Sequence, residues 1–184
     1  MQAEIVHRFK TVLPKVREWI DHVVQDHAPQ ARAASSLGFK QLPDFFPQDL
    51  IEQVKVVTAA HIPIPPLSSF GLPELAALEQ MSAGGITFQN TVFLQVSQAS
   101  ESLLLHELVH VVQWNRLGPD NFLLAYGIGL MQFGYRESPL EQIAYSLQAR
   151  FDAGILRPGL AVAAEIEQHA DAVWASAAPI LAAA

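Results

Sequence analysis

The segment His106-Glu107-Leu108-Val109-His110 sets two imidazoles four residues apart, with a carboxylate beside the first. On a helix, residues at that spacing project from one face a single turn apart, so both rings can offer a nitrogen to one ion. Glu107 then falls at the edge of that face, within reach of water held at the ion. Zinc lowers the pKa of such water toward about 7, and the carboxylate accepts its proton, so the chemistry is metal-assisted hydrolysis. Around the trio stand Leu103, Leu104, Leu105, Leu108, Val109, Val111, Val112 and Trp114, which predicts a helix that is apolar nearly all round and buried. In such a helix each of the three polar side chains costs free energy unless satisfied, and a metal satisfies them together. The competing expectation is a pair of core histidines bonded to backbone carbonyls, with Glu107 at a cleft edge.

The sequence contains no cysteine, so any metal here takes histidine and carboxylate ligands. Catalytic zinc usually has three protein ligands, and a third must come from elsewhere. The metzincin arrangement is excluded, because the positions it fills with glycine and histidine hold Gln113 and Arg116. The leading candidate is Glu141, in Ser138-Pro139-Leu140-Glu141, which reads as a helix start with Ser138 as cap and Pro139 in the first turn. Two roles compete for Glu141: metal ligand, or partner of Ser138 in a capping box. Glu137 is the reserve ligand. Glu165, Glu167, His169 and Asp171 are a weaker reserve on an alanine-rich C-terminal helix from Ala161 onward, where charges ordinarily serve solubility.

The elements that must position these groups can be read from patterning. From Glu4 to about His27, apolar residues recur every three to four positions, which predicts a long amphipathic helix kinked at Pro14, with His7, His22 and His27 solvated. Residues 28–47 read as a connection with short turns and no site. Gln48 to Ala60 begins like a helix, yet Val54 to Thr58 alternates like a strand. The proline-rich stretch from His61 to Pro73 is expected to be irregular. Ile86 to Val96, divided near Asn90, reads as a strand pair or one bent strand leading into the motif helix. Ser100 caps that helix, Glu101 favours its positive end, and Gly118-Pro119 stops it after Leu117. Tyr126, Tyr135 and Tyr145 are candidates to stabilise an oxyanion, against the commoner role of core aromatics.

His106-Glu107-Leu108-Val109-His110-Val111-Val112-Gln113, with the later Ser138-Pro139-Leu140-Glu141-Gln142-Ile143-Ala144-Tyr145, resembles the glutamate-ligated zincin metallopeptidases, or gluzincins. It is most similar to a bacterial branch with an HELxHVxQ-like helix and a later PxExxAY-like element. The resemblance covers roughly Gly84 to Phe151. It implies His106, His110 and Glu141 as Zn2+ ligands, Glu107 as general base, and an upstream strand, in the place of Ile86 to Val96, that aligns extended substrate. One departure is clear: where better-known members of this branch place an aspartate, four residues after the ligand glutamate, this chain has Tyr145.

The whole chain bounds these readings. With 184 residues, 51% of them hydrophobic and 16% charged, one domain with a real core is expected. Its organisation is read as a single zincin-like domain over 1–184, with a helical extension at 1–47 and the metal-site core at 84–153. The fold class is α+β, mainly helical, with a small sheet beside the motif helix. A net charge of -7 with 11 Lys and Arg and no basic cluster argues against nucleic acid. The longest apolar run, Phe122 to Met131, is about half of what a bilayer span needs and contains Gly127 and Gly129, so no membrane span is expected. The N-terminus lacks the pattern of a signal peptide, which makes the cytoplasm the default, with export by another route open. Three functions compete: a zinc metallopeptidase acting on peptide or protein, a non-catalytic zincin-like binding or assembly module that retains the metal, and a metal-free helical protein.

Overall fold

Apolar residues at helical spacing form the first helix in the computed structural model, which describes residues 3–159 and 161–184. This helix, α1 (Ala3–His27), buries Val6, Phe9, Val12, Val16 and Ile20. It continues through Pro14, whose position is exposed, so the missing N–H removes no buried bond. His7 and His22 are exposed, as expected, but His27 is half-buried. Its Nδ1 donates to the Val23 carbonyl at 2.8 Å, and its ring meets Phe93 edge-on.

The chain next forms short 3-10 turns and the two-residue strand β1 (Arg32–Ala33). Leu42, Phe45 and Phe46 of this connection are buried, so the stretch supplies core as well as linkage. Both readings of residues 48–60 are realised in succession: α2 (Gln48–Gln53) gives way at Val54 to β2 (Lys55–Ala59). The proline-rich stretch carries the short helix α3 (Leu67–Phe70), and α4 (Ala76–Glu79) follows it. β3 (Gly85–Phe88) and β4 (Thr91–Gln95) are an antiparallel pair around Gln89-Asn90. β4 also runs parallel to β2, giving the order β1-β2-β4-β3 with β3 at an edge.

The motif lies on α5 (Glu101–Phe133), where Ser100 Oγ accepts from the Leu103 N–H at 3.2 Å as the predicted cap. As expected, the motif helix stops after Leu117: Gly118 is non-helical, with φ 74° and ψ 165°, and α5 is two helices that meet at this kink. Pro119, preset for a helical first turn, starts the second on a new heading to Phe133. Two more helices follow, α6 (Pro139–Asp152) and α7 (Ala161–Ala182), and both pack on α5.

Two apolar clusters share α5. One gathers Phe46, Val56, Leu94, Leu104, Leu108, Leu147 and Ile166. The other gathers Phe9, Ile20, Phe93, Trp114, Phe122 and Leu140. The described part of residues 1–47 thus packs in the same two clusters as the motif helix. The fold is α+β, mainly helical with a small mixed sheet, and no helix among the described residues is long and apolar enough to cross a membrane.

Candidate metal centre

Helical spacing brings His106 and His110 onto one face of α5, and α6 sets Glu141 against them. The two Nε2 atoms lie 3.2 Å apart. Glu141 Oε2 is 3.3 Å from His106 Nε2, and Glu141 Oε1 is 3.4 Å from His110 Nε2. Each residue therefore offers one ligand atom, all within 4.8 Å of one another. The residues are 4%, 6% and 1% exposed, in chain order. At such a separation the two Nε2 atoms cannot both carry a proton, so at least one turns a bare lone pair inward. Glu141 Oε2, also buried, makes no hydrogen bond. Convergent lone pairs beside an unpaired carboxylate oxygen are what a divalent cation satisfies, and the donor set fits one.

The capping alternative for Glu141 is not what forms. Ser138 does precede α6 in extended conformation, but its hydroxyl caps nothing and has no partner. The Glu141 carboxylate turns to the imidazoles instead, while its N–H bonds the Ser138 carbonyl at 3.0 Å.

Two amides that the sequence reading did not assign fix the rings. His106 Nδ1 donates to Gln148 Oε1 at 3.1 Å, and Gln148 Nε2 is anchored on Ser102 Oγ at 3.1 Å. His110 Nδ1 donates to Gln113 Oε1 at 2.8 Å, and Gln113 Nε2 is anchored on the Leu140 carbonyl at 2.9 Å. Each Nδ1 is thereby held as a donor, which directs the lone pair of a neutral ring to Nε2. Gln113 enters the sequence reading as a position that excludes metzincins and as the last residue of the HELxHVxQ-like pattern, with no contact assigned to it. Gln148 carried no local signal, being seven residues beyond Glu141 on the same helix.

Glu107 is 3% exposed, and its Oε2 accepts from Thr87 Oγ1 at 2.7 Å. The other oxygen points at β3, where a Cβ on Gly85 would lie 2.5 Å from Oε1, so the carboxylate occupies space that glycine leaves. Burial raises the Glu107 pKa, against the pull of both imidazoles and the Thr87 bond. For Glu141 burial also acts upward, but His110 and His106 win and hold it well below the usual carboxylate range. His110 shows the reciprocal effect: burial works against its charge, yet Glu141 and Glu107 push it up to about 9.

The candidate tyrosines separate by contact. Tyr126 donates to Glu141 Oε1 at 2.6 Å, which makes it a support of the carboxylate. Tyr145 lies against the His106 ring with centroids 4.7 Å apart. Tyr135 lines a cavity of about 140 Å³ together with Glu107, His110 and Glu141. None of the reserve ligands joins the cluster. Glu137 accepts from Gln142, Glu165 pairs with Arg150, and Asp171 pairs with Arg116. His169 stays on the half-buried face of α7.

Residues 74–118 match the family described as the eCIS core domain. The matched stretch runs from just before α4 through the hairpin and along α5 to its break, so it holds His106, Glu107 and His110 but not Glu141. No curated protein and no solved structure matches the chain.

Proposed function

We propose that this chain is a zinc-dependent metallopeptidase of the glutamate-ligated type, with His106, His110 and Glu141 holding the metal and Glu107 acting as general base. The observation that carries the reading is the buried convergence of two Nε2 atoms and a carboxylate on one point, beside a second carboxylate that joins neither. When bound, the ion supplies Lewis acidity, which brings the pKa of water toward about 7 and polarises a carbonyl. Glu107 accepts the proton of the attacking water at Oε1, the oxygen Thr87 leaves free, and returns it to the amine nitrogen as the C–N bond breaks. Burial favours this use, because a carboxylate with a raised pKa takes a proton more readily. β3 is a sheet edge, and the backbone groups of Gly85 and Thr87 that face away from β4 suit an extended peptide. The Thr87 carbonyl already accepts from Trp114 Nε1 at 3.2 Å, which leaves its N–H and both Gly85 groups for that role.

The test is cleavage of a mixed peptide library by zinc-loaded protein. Glu107→Gln should cut the rate by roughly 10²–10⁴-fold with zinc content unchanged by elemental analysis. A wild type that cleaves nothing, or a variant that cleaves equally, ends the peptidase reading. A second reading rests on the family match, whose description names a core and no reaction and whose matched residues stop before Glu141. On that reading the chain is a non-catalytic assembly module, recognised by retained zinc without cleavage.

A further inference from the structure

Building on the peptidase reading, we propose that Arg136, on the turn between α5 and α6, binds a carboxylate of the substrate and so selects acidic peptides. The turn is fixed at both ends. Gly134, with φ 78° and its N–H on the Leu130 carbonyl at 2.9 Å, closes α5, and the Ser138 N–H bonds the Tyr135 carbonyl at 3.1 Å where α6 begins. Tyr135 lines the cavity beside Glu107, His110 and Glu141. The next residue, Arg136, lies over the Tyr145 ring with Cζ 4.8 Å from its centroid, and that ring packs on His106 at 4.7 Å. The guanidinium therefore stands at the rim of the candidate metal centre, a span that roughly two or three residues of extended chain would cover. Arg136 belongs to neither motif that carries the gluzincin resemblance, and it lies beyond the residues matched to the family.

The charge of Arg136 is uncommitted. Arg8, Arg17, Arg116 and Arg150 each pair with a carboxylate, whereas Arg136 pairs with none among the described residues. An aromatic face attracts the cation, but a carboxylate matches it better, since two oxygens take paired N–H groups of the planar fork. The chain carries a net charge of -7, so an acidic substrate meets repulsion over much of the surface, and an exposed cation beside the site is where it would attach. Glu137 shares a shallow depression with Arg136, Gln142, Tyr145 and Ser146, and its Oε2 accepts from Gln142 Nε2 at 2.9 Å. That carboxylate opposes a second anion, so neutralising it should strengthen binding.

Zinc-loaded protein is titrated calorimetrically with the monohydroxamates of succinic, adipic and suberic acid, each compared with its neutral primary amide. The hydroxamate takes the metal, and the far end of the chain samples Arg136. At the best length the acid should bind roughly 5-fold more tightly than the amide. Arg136→Gln should erase that difference while zinc content and the affinity of the amide hold, and Glu137→Gln should widen it by roughly 2-fold. Peptide pools with glutamate or glutamine at each position, and with a free or amidated C-terminus, then identify the carboxylate. Preferred cleavage of glutamate peptides in the amidated pool assigns a side chain, and a preference confined to free C-termini assigns the chain end. Acids and amides that bind equally at every length, a difference that survives Arg136→Gln, or pools cut without regard to charge would overturn the carboxylate site and leave the metal and peptidase readings standing. Hydroxamates that bind as expected while every pool stays uncut would end the peptidase reading and, with it, the selection of acidic peptides. Binding by no hydroxamate would remove the metal beneath both.

Discussion

Each imidazole of the site rests on an amide oxygen whose own nitrogen is anchored elsewhere, so the metal-facing nitrogens are aimed before any ion arrives. Removing such support costs zinc proteins about 10–100-fold in metal affinity. Gln113→Leu and Gln148→Leu should each weaken zinc binding by that order in a chelator competition, and affinities equal to wild type would show that the amides do not orient the rings. Gly85 leads to a different expectation. A methyl at that position must push the Glu107 carboxylate aside, because it would stand 2.5 Å from Oε1. On the peptidase proposal, Gly85→Ala should therefore lower turnover while zinc content holds, and an unchanged turnover would mean that Glu107 tolerates the shift. The pair His106 and His110 was legible because helical spacing alone brings them together. Glu141 was not settled by spacing, since its capping role needs the same local pattern, and only the packing of α6 against α5 turns its carboxylate inward. Gln148 was illegible for the same reason: its relation to His106 exists only across two helices.

Among the elements, the break in α5 matters most for the site. Gly118 lies at φ 74° and ψ 165°, a region essentially reserved for glycine. Its new heading carries Phe122 back over Trp114, where the rings stack with centroids 4.2 Å apart, and then places Tyr126 beside Phe122 and on Glu141. A Cβ on Gly118 meets nothing within 4 Å, so Gly118→Ala tests backbone conformation alone. It should destabilise the fold by about 1–3 kcal/mol in urea unfolding. A loss below about 0.5 kcal/mol would mean that the turn relaxes into an ordinary conformation. The Gly-Pro pair does signal a boundary in the sequence, but whether the chain leaves the helix or resumes it on another axis depends on the apolar face that follows. Phe122, Ala125 and Ile128 are buried in the cluster centred on α1, and that burial makes the second half of α5 a helix. Residues 48–60 teach a related lesson, since helix and strand patterns overlapped there because α2 and β2 abut at Val54 with no turn between them.

At the scale of the molecule, the cluster ties α5 to α6 at a point where both are buried, so occupancy of the site and stability of the fold are coupled. His106, Glu107, His110, Gln113 and Glu141 are all less than a tenth exposed, and a core that holds this much polarity is most stable when a cation satisfies it. Ligand atoms from helices separated by the whole Gly118 excursion cannot converge in an unfolded chain, so a cation held by this cluster would bind the native state in preference. At free zinc about a hundred times the dissociation constant, that linkage is worth about 2.7 kcal/mol. For a chain of this size the gain corresponds to a rise of roughly 5–10 °C in Tm. Wild-type protein should show the rise on zinc addition and lose it with a chelator, as followed by circular dichroism. His106→Ala should show neither response, because one imidazole and one carboxylate bind zinc weakly. A wild-type Tm indifferent to zinc, or an equal rise in the variant, would place the ion elsewhere and remove the premise on which the hydrolytic reading stands.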